Sequence, residues 1–389
     1  MTPDTLLSFD TILALAEHES GANGLASDGL RQRVSGFIDW INDQGPYSTD
    51  KVDAMQRQIL RLLVNRLRIA VDRTRFAGIA DEHIERPIFI IGFPRSGTTL
   101  LHSLMAEDAD TLSLHGWHSL TPSPPPGAGP ISAGRIAFAH RAIQSWIDFC
   151  PAQSMMHPYI DKGAYQLSED DEIFSLDFHR AYCYHLYNIP VLDLPRMQGK
   201  ITTESFRFHR EVLQHFQWNT GKKRWVCKGP AHQSRLEMLF EIYPDALCVW
   251  AHRPMWEVYP SIVSLGGVIR DAITGRPVDW AKDSRVVAEA MKAGLDRIMA
   301  NSLIDDPRIL HLPFQELADD PLATVQKVYD WAGLTMTGDF ASRVRTWLAD
   351  PENQVDRYGR YPYSYEALGL DEAYIRDLFA NYSKRFDLE

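Results

Sequence analysis

The first 77 residues place apolar side chains three or four positions apart with polar residues between them, as on one face of a helix. This spacing predicts three amphipathic helices, within residues 6–16, 30–41 and 52–71. In the third helix, Ile59 and Leu63 share the apolar face. We therefore expect an N-terminal helical layer over residues 1–85 that packs on a main domain at residues 86–389.

Beyond residue 86 the pattern changes to short, unbroken apolar runs, which are typical of strands buried on both faces. Four runs are predicted as strands: Ile88–Ile91, Arg224–Cys227, Ala246–Ala251 and Ile309–Leu312. Helical patterns lie between or after them, at residues 134–149, 204–219, 235–243, 321–331 and 371–382. The alternation of strands and helices predicts a three-layer α/β fold with a central parallel sheet.

The first predicted strand leads into a loop rich in glycine, proline and serine, and then into a helical pattern that starts at Thr98. Free backbone N–H groups and the positive end of the helix dipole suit such a site to an anion. Gly92 and Gly97 have the spacing of a Walker P-loop, but Thr98 stands in place of its lysine, so the loop is P-loop-like without favouring nucleoside triphosphate chemistry. The candidate anion-binding residues are Arg95, Ser96, Gly97, Thr98 and Thr99.

Cationic side chains stand at or just after the ends of three predicted strands: Arg95, Lys228 and Arg253. Ligands of open α/β sheets bind beyond the carboxyl ends of the strands, so these three charges are expected to converge on one anion. Arg253 is followed eight residues later by Ser261, and this pair can hold one phosphate from two sides.

A late segment, at residues 350–370, is loop-like and aromatic, and it contains two arginines on either side of a glycine. Gly359 lets the backbone approach an anion closely, while Arg357 and Arg360 can both reach it. This loop is therefore a third candidate for phosphate binding.

The stretch Pro94–Thr99 after an apolar strand resembles the 5′-phosphosulfate loop of bacterial sulfotransferases that use 3′-phosphoadenosine 5′-phosphosulfate (PAPS). Arg253 with Ser261, and the late Arg/Gly loop, resemble the 3′-phosphate elements of those enzymes, although Pro254 and Met255 replace their Asp-Pro. The resemblance covers nearly the whole chain. It implies a P-loop-like fold and metal-free, in-line transfer of a sulfuryl group to a hydroxyl of a small acceptor (a lipid, glycolipid, phenol or secondary metabolite), with 3′,5′-ADP (PAP) as the product.

By the same resemblance, Lys228 matches the family's catalytic lysine, which neutralises charge on the leaving phosphate and the sulfuryl group. His118 lies where resembling enzymes place a glutamate base, and a histidine is a competent base near neutral pH. His232 is the rival, because cytosolic sulfotransferases place a histidine shortly after their lysine. His115 ranks third, and a carboxylate within residues 169–172 is a further option.

The composition of the chain limits the kinds of partner that it is expected to bind. A net charge of −11 and a pI of about 5.7 disfavour nucleic-acid binding. No apolar stretch approaches the ~20 residues that span a bilayer, and Met1–Asp10 lacks the features of a signal peptide. We therefore expect no stable membrane insertion. The cysteines (Cys150, Cys183, Cys227 and Cys248) lack CxxC spacing, which favours free thiols in a reducing cytoplasm. No metal site is predicted, since no His, Cys or acidic cluster has ligand spacing.

Two other functions fit the same loop. A P-loop nucleotide or small-molecule kinase is the alternative enzyme, and the threonine in place of the Walker lysine argues against it. A non-catalytic module that holds 3′,5′-ADP is the second, and Lys228 argues against it, because binding alone does not need a cation at the leaving group. Mg²⁺ dependence separates the kinase from the sulfotransferase.

Overall fold

The computed structural model describes residues 6–43, 45, 48–157, 159–179, 201–274 and 279–388. Residues 1–5 and Cys183, on which two of the expectations fall, lie outside the described residues. The helices are α1 Phe9–Ser20, α2 Asp28–Asp43, α3 Thr49–Arg75, α4 Thr98–Met105, α5 Gly116–Leu120, α6 Ala133–Phe149, α7 Gln153–Met156, α8 Asp171–Leu176, α9 Thr203–Gln217, α10 Leu236–Ile242, α11 Met255–Thr274, α12 Trp280–Met299, α13 Phe314–Asp319, α14 Pro321–Trp331, α15 Gly338–Ala349, α16 Glu372–Leu378 and α17 Ala380–Arg385. The strands are β1 Ile88–Ile91, β2 Thr111–Leu112, β3 Arg224–Lys228, β4 Leu247–His252 and β5 Ile309–Pro313.

The chain groups into two compact units, each built from separate stretches of sequence. The first unit combines the chain up to Ile84 with His115–Ala142 and Asp170–Gly221. The second combines Glu85–Leu114, Ile143–Glu169 and the chain from Lys222 onward. The domain boundary expected at residue 85 stays a prediction.

The first unit contains the three N-terminal helices, which form at the predicted places and bury their apolar faces. Asp177, at the end of α8, ties two of them together, because it accepts hydrogen bonds from Arg33 on α2 and Arg66 on α3. Burial alone would raise the pKa of this carboxyl, but the two guanidiniums and His179 hold it below its usual range. These buried ion pairs fix α2 and α3 relative to α8.

The second unit is organised by a parallel sheet with the strand order β2-β3-β1-β4-β5. In the register, Ile88 of β1 lies opposite Val226 of β3 on one side and Leu247 of β4 on the other. The four predicted strands are confirmed; three of them end one residue later than predicted, and β4 also begins one residue later. Strand β2 was not predicted, because two residues are too short to produce a pattern.

Both faces of the sheet are covered, which makes the three layers that the sequence predicts. Ile88 and Ile90 pack in a cluster with apolar residues of α4, α14 and α15. Phe89 points to the opposite face, where its ring lies 5.4 Å from that of Tyr243, just after α10. The predicted α/β class is confirmed: alternating β1 side chains enter two separate cores.

The cysteines and the helix lengths bear on two further expectations. Cys150, Cys227 and Cys248 are buried free thiols, as predicted. No described helix combines the length and apolar character that crossing a membrane requires.

The loop between β1 and α4 is held against its surroundings at two glycines. Gly92 has φ 134°, and a Cβ there would lie 2.4 Å from the carbonyl oxygen of Ala251 on β4. Gly97 has φ 88° at the start of α4, and a Cβ there would lie 2.7 Å from the Phe314 ring. Both positions need a residue without a side chain, since L-residues rarely adopt these angles and the space is filled.

We therefore expect Gly92→Ala to lower the free energy of unfolding. The backbone strain alone should cost about 1–3 kcal/mol, and the clash with a strand adds to it. Urea denaturation followed by circular dichroism measures this loss. The matched control is Gly294→Ala within α12, where the added Cβ would meet only Arg297 at 3.9 Å. That variant should gain up to about 1 kcal/mol. Equal stability of the two variants would contradict the tight approach at Gly92.

Candidate active site

The amino end of α4 is open to an anion because its N-cap is a glycine. Gly97 has no side chain to occupy the first-turn N–H groups, and the helix dipole is positive there. Ser96 is 1% exposed, and its hydroxyl donates to the Phe93 carbonyl oxygen at 2.6 Å. Thr98 and Thr99 form the first turn. The geometry suits one compact anion at the loop.

Lys228 ends β3, the strand next to β1, and its ammonium group reaches the first turn of α4. Nζ lies 3.3 Å from Thr99 Oγ1 and 3.0 Å from Glu169 Oε1. The residue is only 2% exposed. The Gly229 N–H donates to the Ile90 carbonyl oxygen at 3.2 Å, which ties this strand end to β1. Lys228 thus places a cation beside a loop that lacks the Walker lysine.

Arg253 follows β4 and lies against the same loop. Its Nη1 donates to the Arg95 carbonyl oxygen at 3.2 Å, and its guanidinium lies 4.2 Å from the centre of the Phe314 ring. Its Nε donates to Glu257 at 2.8 Å. Arg95 itself has φ 73°, and its Nη1 donates to the Met156 carbonyl oxygen at 2.8 Å. The structure thus brings Arg95, Lys228 and Arg253 to the carboxyl ends of three adjacent strands.

The strand end before Arg253 is fixed by a directional chain of hydrogen bonds. His311 Nε2 donates to the Ile304 carbonyl oxygen at 2.8 Å, so its Nδ1 must accept from His252 Nε2, also at 2.8 Å. His252 Nδ1 therefore accepts from the Tyr382 hydroxyl at 2.9 Å. Burial, with His311 nearby, holds the pKa of His252 well below its ordinary value. Both rings are neutral in this arrangement.

Ser261 lies on α11, the helix that begins two residues after Arg253, and it is 3% exposed. The preceding residue, Pro260, has no N–H to donate to the carbonyl four residues earlier. That carbonyl, on Trp256, instead accepts from the Tyr365 hydroxyl at 2.8 Å. This replacement lets α11 continue past the proline.

The late Arg/Gly loop is attached to a different part of the second unit. Arg357 forms an ion pair with Asp161, while Gly359 turns the backbone at φ 82°. The Arg360 side chain is 84% exposed, with Asp356 at 3.4 Å. Among the described residues, no hydrogen bond or ion pair joins Arg357 or Arg360 to Arg253. Their phosphate-binding role stays a prediction.

His118 lies in the first unit, in the short helix α5. Its Nδ1 accepts a hydrogen bond from the His115 N–H at 2.9 Å, which caps the amino end of this helix. The ring stacks on Trp117 and meets the Phe216 ring edge-on. Burial, then the neighbouring His115, keeps the pKa of His118 well below its usual value. His118 is therefore a neutral ring whose proton is on Nε2, and its role as a base stays a prediction.

His232 lies in the second unit, four residues after Lys228, in a 3-10 turn at His232–Ser234. It is 0% exposed, and its ring lies edge-on to the Phe89 ring at 5.5 Å. Its role as a base also stays a prediction. Across the part of the chain that the structure describes, no group of three or more His, Cys, Asp or Glu side chains is placed to hold a metal ion.

The contact between Glu169 and Lys228 was missed, because the acidic run at residues 168–172 reads as a helix start. Ser168 and Asp171 have the spacing of a capping box, which predicts a helix that starts after Ser168. That prediction is wrong: α8 begins at Asp171, with Asp170 as its N-cap and no capping bond from that side chain. A run of acids indicates a helix end or a charged site equally well. Nothing in its spacing shows that one member faces Lys228.

These features define a P-loop-like α/β protein with cationic residues around the loop. A family model described as the Sulfotransferase family matches residues 87–338. The chain belongs to this family and is a sulfotransferase, which confirms the resemblance read from the sequence. Family membership also favours sulfuryl transfer to a hydroxyl acceptor over the kinase alternative.

Known relatives fit this assignment. The omega-hydroxy-beta-dihydromenaquinone-9 sulfotransferases Stf3 of Mycobacterium bovis and Mycobacterium tuberculosis are each 25% identical over 284 residues, which is 68% of this chain and 67% of theirs. The crystal structure of sulfotransferase STF9 from Mycobacterium avium superimposes with a TM-score of 0.83 at 24% identity, covering 100% of this chain and 99% of that one. STF1 from Mycobacterium tuberculosis gives 0.76 at 24% identity, covering 97% and 100%. The two structures show the same fold.

The buried histidines predict how stability depends on pH. Burial lowers the pKa of His215 to about 4, and it also lowers the pKa of His118 and His252. A folded-state pKa below the unfolded value of about 6.5 stabilises the fold above that pH, and this stability is lost as the pH falls toward 4. Each such group should lower the free energy of unfolding by about 1 kcal/mol for each pH unit of acidification in this range.

Urea unfolding of the wild type and of His215→Gln between pH 7.5 and 5 measures this effect. The glutamine can still donate to the Pro122 carbonyl oxygen, which His215 Nε2 contacts at 3.1 Å, but it does not titrate. The variant should show a shallower decline of the free energy of unfolding. Parallel curves for the two proteins would contradict a neutral, buried His215.

Proposed function

We propose that this sulfotransferase takes its sulfuryl group from PAPS and transfers it to a hydroxyl of a small, partly apolar acceptor, without a metal. The observation that carries the proposal is the buried ammonium of Lys228, 3.3 Å from Thr99 at the open end of α4. A nucleoside triphosphate loop would carry its own lysine at Thr98. A cation supplied from the neighbouring strand suits a 5′-phosphosulfate in the same loop.

The residues around the loop fit the two ends of such a donor. Gly97, Thr98 and Thr99 offer backbone N–H and hydroxyl donors for the 5′-phosphosulfate end, with Arg95 and Ser96 shaping the loop before them. The 3′-phosphate is assigned to Arg253 and Ser261, with Arg357, Gly359 and Arg360 closing over it. The support for Arg253 is its placement against the Arg95 backbone, where a planar guanidinium can bind a phosphate with two donors.

Lys228 has the central role in the transfer step. In-line attack of the acceptor oxygen on sulfur builds negative charge on the bridging oxygen of the leaving 3′,5′-ADP. A fixed ammonium in a site without bulk water stabilises that charge most strongly in the transition state. Lys228 is only 2% exposed, and this burial supports the role.

The acceptor is proposed to be a hydroxylated lipid, glycolipid, phenol or secondary metabolite. The relatives named above carry a hydroxylated menaquinone in their name, which is a lipid-like acceptor. We also propose a cytoplasmic location, which suits the buried thiols of Cys150, Cys227 and Cys248. Incubation of the protein with [³⁵S]PAPS and lipid or metabolite extracts, followed by chromatography, should show an enzyme-dependent labelled product. If no extract gives a labelled product and PAPS is not consumed, the proposed donor is wrong.

Arg253→Ala tests the donor site by binding alone. The wild type should bind 3′,5′-ADP far more tightly than 5′-AMP, without Mg²⁺, and the variant should lose about 1.5–3 kcal/mol of that affinity, equivalent to roughly 10–150-fold. Isothermal titration calorimetry measures both. Arg376→Ala on α16, a half-exposed arginine paired with Glu372, is the matched control and should bind normally. Unchanged 3′,5′-ADP affinity in Arg253→Ala would remove Arg253 from the site.

Lys228→Met tests the transfer step. Methionine keeps much of the side-chain volume in a buried place but removes the charge. We expect 3′,5′-ADP to bind within a few-fold of wild type while kcat falls by roughly 10²–10³, the usual cost of losing one charge-stabilising donor. Stopped assays with [³⁵S]PAPS measure kcat. A variant that retains near-normal kcat would reduce Lys228 to a structural residue.

A further inference from the structure

We propose that Glu169 is the general base that takes the proton from the acceptor hydroxyl. The inference rests on the proposed PAPS-dependent transfer and deepens it by assigning the acceptor side of the site. Glu169 is the last residue before the N-cap of α8, and its side chain is turned to Lys228 rather than to the helix.

Glu169 lies beside the group that contacts the donor loop. Lys228 Nζ contacts Thr99 on the loop at 3.3 Å and Glu169 Oε1 at 3.0 Å, so one ammonium group joins the donor loop to the carboxylate. A group that stabilises the reacting sulfuryl oxygens lies within a few ångströms of the attacking oxygen as well. Glu169 is therefore one hydrogen bond from the place where the acceptor must arrive.

Glu169 is also more exposed than the lysine it contacts. The Lys228 side chain is 3% exposed, whereas the Glu169 side chain is 26% exposed. The lysine is thus enclosed, whereas the carboxylate is partly open to solvent, from which an acceptor enters. A base must meet the incoming hydroxyl, so this partial exposure is the property that the role requires.

The two candidate histidines are less suited to the role than Glu169. A base needs an available lone pair, and His118 uses its Nδ1 lone pair to accept the His115 N–H, which leaves a donor at Nε2. His232 is 0% exposed, so an acceptor cannot reach its ring without rearrangement. Glu169 has two carboxylate oxygens, of which Oε1 contacts Lys228.

The step balances as follows. The acceptor O–H proton moves to a Glu169 carboxylate oxygen while the acceptor oxygen forms its bond to sulfur. The bond from sulfur to the 5′-phosphate oxygen breaks, and its electron pair stays on 3′,5′-ADP beside Lys228. Glu169 then returns the proton to solvent, so no oxidant, metal or further reactant is needed.

Glu169→Gln tests the role, because glutamine keeps an oxygen for Lys228 Nζ but cannot take a proton. Single-turnover reactions of [³⁵S]PAPS are measured with water as the acceptor and with 4-nitrophenol at a pH where it is already ionised. We expect the water reaction to slow by roughly 10²–10⁴-fold and the phenolate reaction by less than about tenfold. Calorimetry should show 3′,5′-ADP affinity unchanged within a few-fold. Glu204→Gln on α9, an exposed carboxylate paired with Arg207, is the control and should react normally.

Each other outcome overturns the assignment or the function beneath it. Equal loss with water and phenolate would mean that Glu169 only positions Lys228. Normal rates in Glu169→Gln, with loss of the water reaction in His118→Gln or His232→Gln, would give the role to that histidine. A wild-type protein that neither consumes PAPS nor binds 3′,5′-ADP contradicts the proposed function itself, whatever the base.

Discussion

A buried ammonium group must be compensated on every side, and Lys228 imposes this requirement on the centre of the second unit. Leaving such a charge without a partner in the protein interior costs several kcal/mol. The Thr99 hydroxyl and the Glu169 carboxylate meet the requirement. They come from α4 and from the segment before α8, so the need to satisfy one charge joins three distant stretches of sequence. The parallel register makes this possible, because β3 and β1 end side by side.

The loop beside Lys228 depends on close backbone approach rather than on side chains. Gly92 lies against the carbonyl of Ala251, and Gly97 lies against Phe314, so the loop packs closely against both β4 and α13. A loop held in this way loses little further entropy when it meets an anion. The hydrogen bonds among Tyr382, His252 and His311 likewise hold the end of β4 in place, next to Arg253.

The sequence predicted the strands well, because residues buried on both faces leave an unbroken apolar run that loops do not imitate. It also placed Arg95, Lys228 and Arg253 at or just after strand ends, whereas the adjacency of those three strands comes from the observed strand order. It could not show that Arg95 donates to Met156, that Glu169 faces Lys228, or that His118 caps α5. These contacts depend on how segments far apart in sequence, or individual rotamers, are arranged in space. Nor could the sequence show how α11 tolerates its proline, since Tyr365 donates to the freed carbonyl from over a hundred residues away.

Phe314 connects two features that are otherwise separate. Its ring fills the space where a side chain at position 97 would go, and its face supports the Arg253 guanidinium at 4.2 Å. A smaller residue at 314 would not by itself admit alanine at 97, because the φ of 88° still disfavours a side chain and a Cβ there would also lie 3.0 Å from Leu317. It would, however, leave the arginine without its aromatic support. Sequences descended from a common ancestor should accordingly keep the glycine whatever residue 314 becomes, whereas the aromatic ring is retained for the arginine.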